Sequence, residues 1–338
     1  MEATIVSNNV KHYPVLLKEI ISVITPQHGG TFIDCTFGQG GYSKKILEHK
    51  NNKILAIDRD IDVEYFSKNF EKKYKNRFEF YNVKFSQINN IKIKNNDLRG
   101  IIFDLGYSFG QIKNLSKGLS FHSKGTLNMQ LGINDFSAND VISKMSEKNL
   151  IKIFKVFGEE NFSKKIVKKI IELRKIKNIK TEDLTRIIES VKKYNNSKIN
   201  NSTKVFQALR MFVNKEVGEL ISGLINAYNL LPIGGVIAVV TFHSLEDKIV
   251  KFFFKNYSEN QNSSRYIPDK NEKTKCFELK QKKPIVPDFN ELKKNPPSRS
   301  AKLRYAIKIN KNCEFDEFVK KFKFLTDVEN LKFDKWKS

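Results

Sequence analysis

The chain has 338 residues, 40 % of them apolar and 12 % aromatic, which is enough to bury a full core and excludes disorder throughout. Lys and Arg outnumber Asp and Glu by 61 to 37; the net charge of +24 suits a polyanionic partner, yet with only nine Arg it also fits a merely lysine-rich surface. The longest apolar run, Ile233 to Phe242, is about half the ~20 residues that a membrane-spanning helix requires, so none is expected.

The opening residues, Met1 to Leu17, show no basic stretch followed by an apolar core, and no secretory leader is expected. Thr31 to Cys35 reads as a buried strand that runs into Gly38, Gly40 and Gly41, and Ser43 to His49 reads as helix. Lys53 to Ile57 is a second strand closed by Asp58, and Ile61 to Tyr74 has helical spacing. Phe78 to Tyr81 and Gly100 to Leu105 are two further strands. This alternation predicts βαβ units and a parallel sheet.

The glycine turn after the first strand lets the backbone approach a ligand closely. Ser43 stands where a dinucleotide fingerprint would need its third glycine, and no triphosphate loop occurs. Asp58, seventeen positions after Gly41, lies where a carboxylate reaches ribose hydroxyls across the strand ends. A ligand with ribose but no phosphate to cradle is S-adenosylmethionine. A glycine turn beside a solvated Asp in another α/β fold remains open at this point. Asp104, closing the fourth strand, either hydrogen-bonds the N–H of an exocyclic amine or serves a turn.

From Ser137 to Tyr228 the pattern is helical: Glu147 to Phe157, Glu160 to Lys175, Thr181 to Lys193, then one long stretch from Ser202. Thr181, with Glu182 and Asp183, reads as a capped helix start. Gly235 to Phe242 restores the sheet, and Ser244 with Asp247 reads as a capping box opening Leu245 to Lys255. Tyr257 to Pro297 is a long basic excursion, Lys302 to Ile309 a last strand, and Glu314 to Leu325 a packing helix. Cys35, Cys276 and Cys313 are widely spaced and lack a C-x-x-C, which argues against disulfides and structural zinc and for a reducing, cytoplasmic compartment. The histidines show no metal-ligand spacing, so no metal is expected.

Several blocks together resemble the ribosomal RNA small-subunit methyltransferase H family. They are His12-Tyr13-Pro14-Val15-Leu16-Leu17, the turn from Asp34 to Ser43, Ala56-Ile57-Asp58-Arg59-Asp60 and Asp104-Leu105-Gly106. Phe157-Gly158-Glu159-Glu160, Phe206-Gln207-Ala208-Leu209-Arg210 with Val213-Asn214, Thr241 to Asp247 and Asn295 to Arg304 follow in family order. The resemblance implies a class I, Rossmann-like α/β methyltransferase sheet with an inserted all-helical domain. It implies S-adenosylmethionine as cofactor and N4 of a cytidine in the decoding region of 16S rRNA, within the small ribosomal subunit, as acceptor. It assigns cofactor contacts to Gly40, Gly41, Tyr42, Asp58, Phe85, Asp104 and Gln111. Tyr42 stands where the family usually has His, and a P-L-D-M-R-M segment reads Thr126-Leu127-Asn128-Met129-Gln130-Leu131, with Asn128 and Gln130 able to bond each other.

The expected organisation is a methyltransferase domain over residues 1–106 and 203–311, a helical substrate-recognition insertion at 107–202 and an extension at 312–338. Asp104, Tyr107 and His243 are the catalytic candidates, with His243 weighed against a structural role, and Tyr107 and Phe109 are the residues to stack on a base. Residues 164–204 and 257–312 carry net charges of +9 and +8, and Arg299, Lys302 and Arg304 are candidates for RNA phosphates. A homodimer is admitted. The competing reading is a non-catalytic ribosome-assembly factor, motivated by Asn128 and Gln130; a DNA amino-methyltransferase would show a P-P-[YFW] motif where Asp104-Leu105-Gly106-Tyr107 stands.

Overall fold

The computed structural model describes residues 13–91, 97–107, 111, 114, 117–123, 125–192, 200–258 and 274–333. After α1 (Leu17–Ile24), β1 (Gly30–Asp34), α2 (Gly41–Leu47), β2 (Asn52–Ile57), α3 (Glu64–Lys73), β3 (Phe78–Tyr81) and β4 (Leu98–Asp104) alternate as expected. Then follow α4 (Ala138–Lys144), α5 (Glu147–Phe157), α6 (Ser163–Arg174), α7 (Thr181–Val191), α8 (Thr203–Asn214) and α9 (Glu216–Leu230). The chain returns to the sheet at β5 (Val236–Thr241) and continues through α10 (Ser244–Asn256), β6 (Phe277–Glu278), α11 (Phe289–Lys294), β7 (Lys302–Lys308) and α12 (Asp316–Glu329).

The strands lie in the order β3-β2-β1-β4-β5-β7-β6. The first five are mutually parallel, while β7 runs antiparallel to β5 and β6 antiparallel to β7. Side chains alternate across the pleat, so Phe32, Ile54, Ile102 and Val240 pack beneath α1 and α2 while Ile33, Leu55, Phe103 and Val239 face the other helices. The helices of 107–202 share that second apolar cluster with the sheet. Strand order reverses between β1 and β4, and the crevice at their carboxyl ends is where an open α/β sheet takes its ligand.

Local differences from expectation have physical causes. The stretch from Ser202 breaks at Lys215, a left-handed residue at φ 50° between α8 and α9. Such a residue costs about 1–3 kcal/mol; here it folds the chain back so that Arg210 grips Glu216 through two hydrogen bonds of 2.8 and 2.9 Å. At α7 the residue before the helix is Lys180, whose N–H donates to Asp183 at 3.1 Å, and the Thr181 hydroxyl donates to the Gly125 carbonyl instead of capping. The box at α10 is shifted by one residue: His243 is the N-cap and Glu246 its partner. Asp247 is drawn away by Arg304 and Lys302 of β7, at 2.7 and 3.2 Å.

The expectation of unpaired cysteines is corrected at one pair. Cys276 and Cys313 form a disulfide, 6.1 Å apart at Cα. The antiparallel β6–β7 ladder brings the residue before β6 beside the chain leaving β7, where the Ile309 N–H donates to the Cys276 carbonyl at 2.9 Å. Cysteine usage therefore no longer speaks for a reducing compartment, and Cys35 is the one free cysteine among the described residues. Among those residues no helix is long and apolar enough to cross a membrane.

Candidate active site

A cavity of about 400 Å³ opens at the carboxyl ends of β1, β2 and β4. Its lining includes Gly41, Tyr42, Asp58, Phe85, Asp104, Tyr107 and Gln111, so most residues singled out from sequence meet in one place. Gly40, at φ 75°, ends the turn just before α2; a Cβ there would stand 2.5 Å from the Phe70 ring and 2.7 Å from Phe37. On Gly41 a Cβ would come within 2.1 Å of the Pro14 ring. The two glycines thus let the turn seat against packed rings.

Asp58 fixes this turn from the next strand. Its Oδ2 accepts the Gly38 N–H at 2.8 Å and its Oδ1 the Asp60 N–H at 2.9 Å. Each carboxylate oxygen has a second lone pair, so both can still accept a hydroxyl from the cavity. Phe85 packs edge-on against Phe103 at 5.4 Å and against Gly223 of α9, where a Cβ would stand 2.6 Å from its ring. Gln111 lines the cavity and donates to Asp60 at 2.7 Å, and Lys117 pairs with Asp60 as well.

Three carboxyl groups crowd together at the strand ends, Asp34 fully buried and Asp58 and Asp104 partly so. Burial pushes Asp34 and Asp58 up to about 6 and Asp104 up to about 7. The Tyr42 hydroxyl, 3.1 Å from Asp104 Oδ2 and 2.6 Å from the Val15 carbonyl, offsets part of that cost, as does the Gly106 N–H. Asp104 Oδ1 has no hydrogen-bond partner of ordinary geometry among the described residues. Tyr42 thus sits as a hydroxyl beside the acid that ends β4. Buried acids of this kind gain from a positively charged ligand, which repays their desolvation. Together with Asp58 and the Phe85 wall, the donor set fits a ligand carrying a ribose, a flat ring and a positive charge.

The opposite wall comes from α8 and α9, which sequence reasoning left without a role. Arg210 is buried between Glu216 and Tyr107, its guanidinium 4.7 Å from the Tyr107 ring centroid. Tyr107 is 39 % exposed, so it keeps surface for a further ring. Phe109 lies outside the described residues, as does His12. The Phe206-to-Arg210 block signals this wall only through its likeness to a family; Glu216 carries no signal, because it reaches Arg210 through an unforeseen break.

His243 does not line the cavity; its Nδ1 accepts the Glu246 N–H at 3.4 Å, and its Nε2 lies 3.0 Å from Glu246 Oε1. The imidazole thus serves as a cap and holds Glu246, which does line the cavity. Burial would raise the Glu246 pKa, but His243 and Arg210 hold it below its ordinary value. Glu216, His243 and Glu246 bring ligand atoms within 4.8 Å of one another; Glu216 is engaged by two hydrogen bonds from Arg210, and His243 Nε2 lies 3.0 Å from Glu246 Oε1. Asn128 and Gln130 do not bond side chain to side chain. Asn128 Oδ1 accepts the Gln130 N–H at 3.2 Å, and the Gln130 amide donates to the Phe136 carbonyl at 3.2 Å. Both replacements therefore brace a loop.

Of the expected phosphate contacts, Arg304 and Lys302 face Asp247. Arg299 is exposed, within a 3-10 turn (Pro296–Ser300) whose Pro296 and Pro297 line the cavity.

The family model described as the MraW methylase family matches residues 9–309. Several curated relatives carry the name ribosomal RNA small subunit methyltransferase H, among them the following three. That of Ehrlichia canis is 40 % identical over 303 residues, covering 88 % of this chain and 100 % of its own. That of a Wolbachia from Drosophila simulans is 41 % identical over 297 residues, covering 87 % and 97 %. That of Rickettsia akari is 39 % identical over 302 residues, covering 88 % and 98 %.

Proposed function

The chain belongs to the MraW methylase family, and from that premise we propose that it methylates N4 of a cytidine in the decoding region of 16S rRNA, using S-adenosylmethionine. The observation that carries this reading is Asp104 Oδ1, which has no hydrogen bond of ordinary geometry among the described residues and belongs to the same cavity as Asp58 and the glycine turn. When bound, S-adenosylmethionine supplies an electrophilic methyl carbon on a cationic sulfur. Asp58 would take the ribose hydroxyls, Phe85 would flank the adenine, and Tyr42, Gln111 and the buried acids would surround the methionine end. Asp104 Oδ1 accepts a hydrogen bond from the exocyclic amine, turns its lone pair toward the methyl carbon, and receives the proton that the methylated nitrogen sheds. Alignment at about 3–3.5 Å supplies most of the acceleration.

A cytosine in structured RNA must be splayed out to reach Asp104, at a cost of a few kcal/mol. Tyr107, held by Arg210, offers a stacking face that offsets it. The helices of 107–202 form the substrate-recognition part, and Arg299 meets RNA phosphate at the cavity rim. Charge reversal, Arg299→Glu, is expected to flatten the salt dependence of binding to small subunits by about one unit of slope, because one phosphate contact releases about one counterion. An unchanged slope removes Arg299 from the interface.

The deciding experiment incubates the protein with methyl-labelled S-adenosylmethionine and small subunits lacking the modification, then digests the RNA to nucleosides. Label is expected in N4-methylcytidine. Label in another nucleoside overturns the acceptor assignment. Binding to the subunits without any label favours the assembly-factor reading.

A further inference from the structure

The family match ends at residue 309, yet α12 lies beyond it and is firmly docked. Phe318 and Phe322 are buried, with Phe318 4.8 Å from the Phe253 ring and Phe322 5.5 Å from the Phe252 ring on α10. The last residue of α12, Glu329, is only 3 % exposed. Its two carboxylate oxygens accept the Val217 and Gly218 N–H groups, each at 2.8 Å. Those are free N–H groups in the first turn of α9, whose own N-cap, the left-handed Lys215, makes no side-chain bond to them. Glu329 thus caps α9 from more than a hundred residues away in sequence.

This is a costly place for a carboxylate. Burial, with Glu216 and Glu219 nearby, raises its pKa to about 8 despite the two N–H donors. What it holds is the helix that carries one side of the cavity. Glu216 grips Arg210 beneath Tyr107, and Glu219 accepts the Ser86 hydroxyl at 3.0 Å. Gly223, one turn on, backs Phe85. A shift of the first turn of α9 would therefore move the Phe85 and Tyr107 walls together.

We propose that Glu329 is a positioning residue for the methyl-transfer cavity and that the C-terminal extension is a built-in brace of the active site. The proposal rests on the reading of that cavity as the S-adenosylmethionine site. It explains why the chain continues past the last strand into a helix ending in a buried acid.

The test uses the full chain and titrates S-adenosylhomocysteine by calorimetry, with melting temperature followed in parallel. Glu329→Ala is expected to weaken affinity about tenfold, the scale of a lost helix cap carried into binding, and Glu329→Gln, which keeps one acceptor, about threefold. Gly218→Ala disturbs the same contact by another route. Its Cβ would lie 2.8 Å from Glu329 Oε2 and displace the carboxylate, while alanine favours the helix. It is expected to weaken affinity without lowering the melting temperature.

A merely structural role predicts a lower melting temperature with unchanged affinity in the folded protein, and that result overturns the proposal. If Glu329→Ala yields no folded protein, Gly218→Ala decides alone: wild-type affinity overturns the brace, and weakened affinity supports it. Wild-type protein that does not bind S-adenosylhomocysteine overturns the cofactor reading itself, and the brace with it; that outcome is distinct from variants binding as well as wild type does.

Discussion

Asp104→Asn is expected to lower kcat for methyl transfer by about a hundredfold to ten-thousandfold, the range for removing a placed proton acceptor. Affinity for S-adenosylhomocysteine should change little, because Asn keeps the shape and the neighbour of Tyr42. The amide cannot receive the amine proton, and its N–H2 would meet the exocyclic amine donor to donor. The pH dependence carries the same signature. Burial raises Asp104 to about 7, so the ionised, accepting form fills in as pH rises through 7. Wild-type kcat should therefore rise to a plateau above that pH, and the residual rate of the variant should be flat. Equal kcat in the two proteins rejects Asp104 as the acceptor.

The same shift has a stability consequence with a definite sign. A carboxyl whose folded pKa lies above its ordinary 3.8 binds its proton more tightly when folded, so its contribution favours folding at low pH and is lost as pH rises toward 7. Asp104→Asn removes that loss. Denaturant melts at pH 5 and pH 8 should show wild type losing more stability than the variant across the interval. A larger loss in the variant would mean that the carboxylate is stabilised when charged, contrary to its burial.

What was legible in the chain follows from where the decisive interactions lie in sequence. The strand-helix alternation is legible because period-two and helical apolar spacing are local, and β1 to β4 lie within a residue or two of the expected limits. The glycine turn and Asp58 are legible because a strand end constrains the residue types that follow it. The break at Lys215 is not, because the neighbouring apolar spacing runs through it and its reason is a tertiary pair, Arg210 with Glu216. The capping register at α10 is misread for a similar reason: Ser244 and Asp247 satisfy the local rule as well as His243 and Glu246 do, and Arg304 of β7 decides between them. Cys276 and Cys313 meet only once an antiparallel edge is known, and Glu329 reaches Val217 only once the fold is closed.

Asp58→Ala is expected to weaken S-adenosylhomocysteine binding about ten- to a hundredfold, the scale of one charge-assisted hydrogen bond. Two effects could produce that loss, since the carboxylate also holds the Gly38 N–H at 2.8 Å and so shapes the turn. A ligand lacking both ribose hydroxyls separates them. Wild type should bind the dideoxy analogue about tenfold less tightly than S-adenosylhomocysteine, because the charge-assisted hydrogen bonds that Asp58 accepts from the ribose hydroxyls are then lost. Asp58→Ala should bind the two ligands equally, and the cycle then isolates the carboxylate-ribose contact from any change in the turn. If the variant discriminates as strongly as wild type, Asp58 serves the Gly38 turn alone and the ribose hydroxyls are held by another group. If discrimination disappears, the carboxylate performs both tasks, and the second strand's last acid both shapes the turn after the first strand and reads the sugar bound across it.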